Sequence, residues 1–220
     1  GGSAAGRHGG GAGQAASHFS KMDTLTDPLL ASLTGKGVVV AVIDTGIDTD
    51  SSFFGPDSDG DGVADRIAFQ YDFGDRDADA NDVIGHGTHV AGVIAGQDAQ
   101  YKGIATESDL VVLKVFDSSS NGYFSMLKSA LEWVDANAEA YNIGVVNMSL
   151  GDGGNWGEAI SRYGMGELFE RLAAKGLVTI AAAGNNYYQT GGALGVAYPG
   201  ADPAVLSVGA MWAGNFGGPW

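Results

Sequence analysis

Two histidines stand three residues apart in the segment GHGTHVAGVIAG, residues 85–96. On one helix face His86 and His89 could bind zinc, but the sequence offers no matching third ligand and lacks the H-E-x-x-H pattern of metalloproteases. A second interpretation is a pair of hydrogen-bonded polar residues at the start of a buried helix. The third is a catalytic base, which needs an acid to orient the imidazole and fix its tautomer. Asp44, at the end of an apolar run, has the right chemistry for that acid.

An acidic segment, PDSDGDGVADRI at residues 56–67, has the spacing of a calcium loop. Alternating carboxylates around a glycine turn would point oxygen atoms at one hard cation, which predicts a structural calcium site. The predicted ligands are the side chains at loop positions one, three, five and nine and the carbonyl at position seven: Asp57, Asp59, Asp61, Asp65 and Val63. Ala68 stands where an EF-hand has its bidentate Glu, so Asp72 or water would complete the shell. The alternative is a solvated acidic turn, which is our interpretation of the later acids Asp75, Asp77, Asp79 and Asp82.

Short apolar runs alternate with amphipathic segments after Gly37. Five runs are predicted strands: residues 38–43, 110–115, 144–149, 177–183 and 204–209. Their length and valine content are typical of strands buried on both faces, as in a parallel sheet covered by helices. Apolar residues at helical spacing predict helices around residues 127–138 and 165–172. The sequence therefore predicts an α/β fold, a parallel β-sheet flanked by helices on both faces.

Three of the predicted strands end in polar or glycine-containing turns. These turns are Asp44-Thr45-Gly46, Ser149-Leu150-Gly151 and Gly184-Asn185-Asn186. The carboxyl ends of parallel strands meet at one edge of a sheet, and sites are built outside that edge. The small apolar segment VAGVIAG, residues 90–96, predicts a buried helix directly after the two histidines. We therefore expect a site at this edge.

The composition describes a folded, acidic chain. Of its 220 residues 45% are hydrophobic and 17% charged, and 26 Asp and Glu against 11 Lys and Arg give a formal net charge of −15. This charge argues against nucleic acid or an anionic membrane as a partner, and no apolar run has the length of a membrane span. Without cysteine, neither disulfides nor thiolate chemistry is expected. We predict a Gly/Ala-rich tail over residues 1–20 and one domain over residues 21–220, in a soluble, processed or partial product that starts at Gly1.

Five segments resemble, in order, those of the subtilisin-like serine proteases: VVVAVIDTGID, GHGTHVAGVIAG, VVNMSLG, VTIAAAGN and AYPGADPAVLSVGA. The resemblance, which extends from about Gly35 to Ala210, implies the subtilisin-like fold and a serine endopeptidase that uses a Ser/His/Asp triad. It implies Asp44 as the acid, His86 as the base and Asn185 as the oxyanion donor. It also implies two sets of substrate-binding residues, one that pairs with the substrate backbone and one that forms a wall of the first specificity pocket: Ser149, Leu150 and Gly151, and Ala183 and Gly184.

The serine of that triad is not among these 220 residues. The family carries it in a G-T-S-M-A-x-P motif after the AYPG segment, and this motif is absent, while Ser149 matches substrate binding. We therefore expect the front part of a catalytic domain, truncated at its C-terminal end and inactive alone. Its expected partners are protein or peptide substrates and its own C-terminal catalytic segment. The resemblance also implies a secreted, bacterial protein.

Two other functions remain open at this point. A catalytically inactive subtilase-like peptide-binding module would fit the absent serine, although such a module would have little reason to keep Asp44, His86 and Asn185 together. An aspartic protease would fit the DTG of residues 44–46. That class pairs two such carboxylates on a β-rich fold, however, and only one DTG occurs here.

Overall fold

The computed structural model describes residues 32–210 and is built on one sheet of parallel strands. The strands are β1 Val39–Asp44, β2 Ile67–Asp72, β3 Asp109–Lys114, β4 Ile143–Met148, β5 Val178–Ala182 and β6 Leu206–Val208. Their order across the sheet is β2-β3-β1-β4-β5-β6. Because β1 pairs in parallel with β3 on one side and β4 on the other, its carboxyl end lies in the interior of the sheet edge.

Helices cover both faces of the sheet. The helices are α1 His86–Ala95, α2 Phe124–Asn137 and α3 Gly166–Ala174, with a 3-10 turn at Ser52–Phe54. Alternate residues of β1 face opposite sides: Ala41 and Ile43 pack in the cluster that contains residues of α2 and α3, and Val42 packs in the cluster that contains residues of α1. A side chain of this kind contributes about 1.5–3 kcal/mol when it is fully buried. The predicted α/β fold with helices on both faces is confirmed.

Five of the six strands were predicted, and the exception lies at one edge of the sheet. All five predicted apolar runs overlap observed strands, and the helical spacing around residues 127–138 and 165–172 corresponds to the buried faces of α2 and α3. β2 was not predicted, because it is an edge strand of mixed burial in which Ala68 is exposed. Ala68, the last position of the predicted calcium loop, therefore belongs to a strand and not to a loop.

Some sequence predictions concern residues outside this description. The predicted tail, residues 1–20, precedes residue 32, and the predicted domain continues beyond residue 210. Within residues 32–210, none of the helices combines the length and the hydropathy that crossing a membrane requires.

Candidate active site

Asp44 and His86 form a hydrogen-bonded pair at the carboxyl edge of the sheet. Asp44 is the last residue of β1 and His86 is the first residue of α1. The His86 Nδ1 lies 2.6 Å from the Asp44 Oδ1. The Asp44 side chain is 1% exposed and the His86 side chain is 52% exposed. The pair therefore joins a buried carboxylate to an imidazole that is open to solvent.

One glycine lets the helix approach the strand this closely, and a second allows the tight turn after β1. A Cβ atom on Gly87 would lie 2.1 Å from the Gly46 carbonyl oxygen and 3.1 Å from the Asp44 Cβ. Gly46 has a φ of +102°, and a Cβ atom there would lie 2.3 Å from the Ala80 carbonyl oxygen. Both positions thus require glycine, Gly46 for its left-handed backbone and both for the lack of space. The close contact sets the distance between the start of α1 and the end of β1.

The electrostatics of the pair favour a protonated imidazole. The hydrogen bond with Asp44 raises the pKa of His86; burial of the ring opposes this, and the negative charges of Asp44 and Asp82 add to the increase. The Asp44 Oδ1 also accepts the backbone N–H of Thr45 at 2.7 Å. Its Oδ2 is buried and accepts no hydrogen bond from residues 32–210. His86 is therefore an imidazole whose protonated form is stabilised by a carboxylate that water does not reach.

Asp82 is a site residue that the sequence interpretation missed. It was grouped with a solvated acidic face, which was wrong for this residue, because its carboxylate is half-buried and bonded on both oxygens. Its partners include Thr45 and Thr88, one in the turn after β1 and one in the first turn of α1. A signal was available, since acidic residues just before a helix start stabilise its first turn.

The other predicted site segments lie at the same edge of the sheet. β4 ends at Met148 and is followed by Ser149, Leu150 and Gly151, and β5 ends at Ala182 and is followed by Ala183, Gly184 and Asn185. β1, β4 and β5 are neighbours that run in parallel, so their carboxyl ends share one edge. The side chain of Asn185 is exposed there.

Backbone contacts fix the segment after β5. The Ala183 N–H donates to the Val208 carbonyl at 2.8 Å, and the Ala183 carbonyl accepts from the Ala197 N–H at 2.8 Å. Gly184 has a φ of +98°, and a Cβ atom there would lie 2.9 Å from the Ala197 Cβ. This segment is therefore a tightly packed wall at the edge of the sheet.

A largely apolar pocket adjoins the segment after β4. Leu150 and Gly151 form part of its lining. The remaining lining residues come from the segment that follows β3 and the start of α2: Val115, Phe116, Gly122, Tyr123, Phe124 and Leu127. The pocket is therefore lined mainly by apolar side chains.

The predicted metal-binding residues are only partly brought together. One carboxylate oxygen from each of Asp57, Asp59 and Asp61 lies within 4.8 Å of the others, and all three residues are exposed. The Val63 N–H donates to the Asp61 Oδ1 at 2.8 Å. Asp65 is not part of this group; its two oxygens accept from the backbone and the hydroxyl of Ser58 at 2.8 and 2.6 Å. The three carboxylates present oxygen ligands of the type that hard cations such as calcium prefer.

Two further metal interpretations are corrected by the structure. Asp72 is not free to complete a calcium shell, because it is buried and hydrogen-bonded to the ammonium group of Lys114. Among residues 32–210, His86 and His89 belong to no group of three or more side chains that could hold a metal ion. The zinc interpretation of the two histidines is therefore not supported.

A carboxylate–histidine pair at the carboxyl edge of a parallel sheet is an arrangement used by serine hydrolases of the α/β class. The family model of the subtilase family matches residues 35–215. The chain belongs to the subtilase family. It is therefore related to serine proteases of the subtilisin kind.

Individual relatives agree with the family. Subtilisin from Bacillus pumilus and subtilisin E from Bacillus subtilis are each 34% identical to this chain over 184 residues, 83% of the chain. The match covers 59% of the first and 43% of the second. Alkaline serine exoprotease A from Vibrio alginolyticus is 42% identical over 123 residues, 56% of this chain and 20% of that protein. The chain thus spans about half the length of the two subtilisins.

Proposed function

We propose that the protein to which this chain belongs is a serine endopeptidase that cleaves protein or peptide substrates. Asp44 and His86 act as the acid and the base of its triad, and a serine in a segment that follows these 220 residues is the nucleophile. The observation that carries the proposal is the 2.6 Å contact between the His86 Nδ1 and the Asp44 Oδ1 in a chain of the subtilase family. The bacterial relatives support a bacterial source, and the proposal includes secretion.

The geometry of the pair supports these roles. A carboxylate only accepts hydrogen bonds, so the His86 Nδ1 carries the proton that is donated to Asp44. In the neutral ring the Nε2 is then the atom that accepts a proton. It takes the proton of the serine hydroxyl and later gives it to the leaving amine, while the buried Asp44 stabilises the imidazolium ion.

We propose that Asn185 donates its side-chain amide to the oxyanion of the tetrahedral intermediate. Its exposure at the same edge of the sheet as the pair supports this role, since an oxyanion donor must be free to face the substrate. In the proposed complex, Ser149, Leu150 and Gly151 pair with the extended substrate backbone, and Ala183 and Gly184 form a wall of the first specificity pocket. The apolar pocket beside Leu150 supports a broad preference for apolar side chains.

We also propose that calcium binds the acidic loop. Asp57, Asp59 and Asp61 supply carboxylate oxygens, and the carbonyl oxygen of Val63 is a further ligand. Asp65 is a weaker candidate, because its carboxylate is not part of the group formed by the other three. An ion that binds only the folded state stabilises that state by mass action. The role of calcium in this proposal is structural.

The proposal is tested with the full-length protein on casein, with and without a serine-directed inhibitor. The wild-type protein is expected to show inhibitor-sensitive turnover, and His86→Ala is expected to reduce it by several orders of magnitude, since members of a triad act as a unit. His89→Ala is the matched control, because His89 is also exposed on α1 but is not part of the pair.

The result can also decide between the proposal and its rival. Peptide binding without turnover in the wild-type protein would support an inactive peptide-binding module instead. Full activity after His86→Ala would contradict the assigned base. The 220-residue chain alone is expected to be inactive, because no acyl-enzyme forms without the serine.

A further inference from the structure

The carboxylate of Asp82 connects the segments that carry the two members of the pair. Its Oδ1 accepts the hydroxyl of Thr45 at 3.0 Å and the N–H groups of Ile84 and Gly85 at 2.9 and 2.8 Å. Its Oδ2 accepts the N–H of Thr88 at 2.9 Å and the hydroxyl of Thr88 at 2.7 Å. Both oxygens are thus bonded, by groups from three segments of the chain.

These bonds hold the residue after Asp44 and the residues on either side of His86. Thr45 directly follows Asp44, and its hydroxyl oxygen accepts the N–H of Gly87 at 2.8 Å. Gly85 and Gly87 directly precede and follow His86. One carboxylate therefore fixes the turn after the acid and the backbone around the base at the same time.

The same bonds replace the missing cap of α1. The N-cap residue is Gly85, which has no side chain to bond the free N–H groups of the first turn. Thr45 accepts the N–H of Gly87 and Asp82 accepts the N–H of Thr88, which are the second and third residues of the helix. The negative charge of Asp82 at this end also interacts favourably with the helix dipole. The start of α1, and with it His86, is thus held by groups outside the helix.

We propose that Asp82 is a positioning residue for the catalytic base, holding the His86 ring at Asp44 through Thr45, Thr88 and the backbone of residues 85–88. This inference rests on the proposed function, since His86 is the base only in that proposal. Asp82 does not contact His86 through a hydrogen bond of its own; it acts through the segments that carry the pair.

Asp82 has an electrostatic effect that a purely structural cap would lack. Its negative charge adds to the rise in the pKa of His86 that the hydrogen bond to Asp44 causes, although burial of the ring opposes that rise. Burial also raises the pKa of Asp82, but its hydrogen bonds outweigh burial and hold that pKa below the ordinary value, so the charge is present at neutral pH. Among residues 32–210, the charged groups that face His86 are Asp44 and Asp82, and Asp82 in turn faces Asp48.

The first test is Asp82→Asn in the full-length protein, which keeps the shape and removes the charge and one acceptor oxygen. We expect kcat to fall by about 10- to 100-fold with little change in KM, because the base is displaced while the proposed substrate-binding segments after β4 and β5 are not. The acid limb of the pH profile of kcat/KM is expected to move to lower pH, because the pKa of His86 falls when the negative charge is lost. Asp98→Asn is the control: Asp98 accepts two backbone N–H groups just after the other end of α1.

The second measurement is an NMR titration of the His86 ring, which needs no catalytic activity. The pKa of His86 is expected to be lower in Asp82→Asn than in the wild-type protein or in Asp98→Asn. If the wild-type protein hydrolyses no peptide but this difference is found, the proposed function fails while the link from Asp82 to His86 stands. If the protein is active and Asp82→Asn leaves kcat and the pKa of His86 unchanged, the inference is overturned. A loss of activity with an unchanged pKa also overturns it, since this indicates a structural role alone.

Thr45→Val keeps the proposal testable if Asp82→Asn does not fold. This variant retains the charge and the other four hydrogen bonds of Asp82, and it removes the hydroxyl between Asp82 and the Gly87 N–H. We expect kcat to fall while the acid limb stays near its wild-type position. Thr45→Ser restores the hydroxyl and is expected to recover most of the lost kcat. Wild-type kcat in Thr45→Val would contradict positioning through this bond.

Discussion

Gly87→Ala is expected to separate His86 from Asp44 without changing either residue. The added Cβ would lie 2.1 Å from the Gly46 carbonyl oxygen, whereas a carbon and a carbonyl oxygen normally approach to about 3.3–3.6 Å. The start of α1 must therefore move by about 1 Å, in a direction away from the end of β1. A shift of this size in a catalytic group costs about 100-fold in rate, so kcat/KM is expected to fall by about that factor.

Stability should fall in the same variant, and a second glycine of the same helix provides the control. Forcing one extra carbon into a packed contact costs about 1–3 kcal/mol, which lowers the melting temperature by about 2–12 °C in a domain of this size. Gly92→Ala adds the same atom on α1, but it lies 3.3 Å from the edge of the Phe53 ring, a half-buried side chain that can shift. Alanine is favoured over glycine in a helix by up to about 1 kcal/mol, so this variant should equal or exceed the wild type in stability.

Peptide hydrolysis and thermal unfolding of the two variants test this reasoning directly. We expect a large loss of kcat/KM and a lower melting temperature for Gly87→Ala, and neither for Gly92→Ala. If Gly87→Ala behaves like Gly92→Ala in both assays, the close contact of α1 with the turn after β1 does not set the geometry of the pair, and the argument is wrong.

Three further predictions concern stability, pH and calcium. Lys114→Met leaves Asp72 as an unpaired buried charge and is expected to lower the free energy of unfolding in urea by about 3–5 kcal/mol; a loss below about 1 kcal/mol, typical of a surface pair, would contradict it. Because the neutral form of His86 is the base and its pKa is raised, kcat/KM is expected to increase with pH through a midpoint above the ordinary 6.5, and a midpoint at or below that value would count against the pair. Removal of calcium by a chelator is expected to lower the melting temperature of the wild-type protein but not that of Asp59→Asn, and equal melting curves with and without chelator would rule out the ion.

The sequence predicted the parts of the fold that depend on neighbouring residues. A run such as residues 38–43 is apolar at every position because both faces of its strand are covered, and this pattern is legible without a structure. β2 has only one neighbouring strand and mixes buried with exposed positions, so its pattern is weak and its end was assigned to an acidic loop. The edge of the sheet at which the candidate site lies was predicted from the rule that the carboxyl ends of parallel strands meet at one edge.

The long-range contacts of Asp82 and Asp72 could not be predicted from sequence, because Thr45 and Lys114 are distant from them in the chain. Asp82 bonds Thr45, 37 residues away, and Asp72 bonds Lys114, 42 residues away. Both aspartates stand in an acidic stretch whose other members are largely exposed, so composition alone does not distinguish a buried aspartate there from a solvated one. Only the packing of α1 and β3 against these residues separates a buried carboxylate from a solvated one.

The difference in exposure between Asp44 and His86 follows from where each lies in the fold, and it suits the proposed chemistry. Asp44 ends a strand whose six residues are all buried, so its carboxylate is held out of water. Its hydrogen bond to the imidazole is stronger there than it would be in water. His86 begins a helix at the surface, so its outer nitrogen can reach a serine and a substrate. If the two residues were exchanged, the base would be buried at the end of β1 without access to substrate. The carboxylate would then be solvated, and its electrostatic effect on the imidazole would be weaker. Asp44 at the end of β1 and His86 at the start of α1 are therefore placed where a buried acid and an accessible base are each needed.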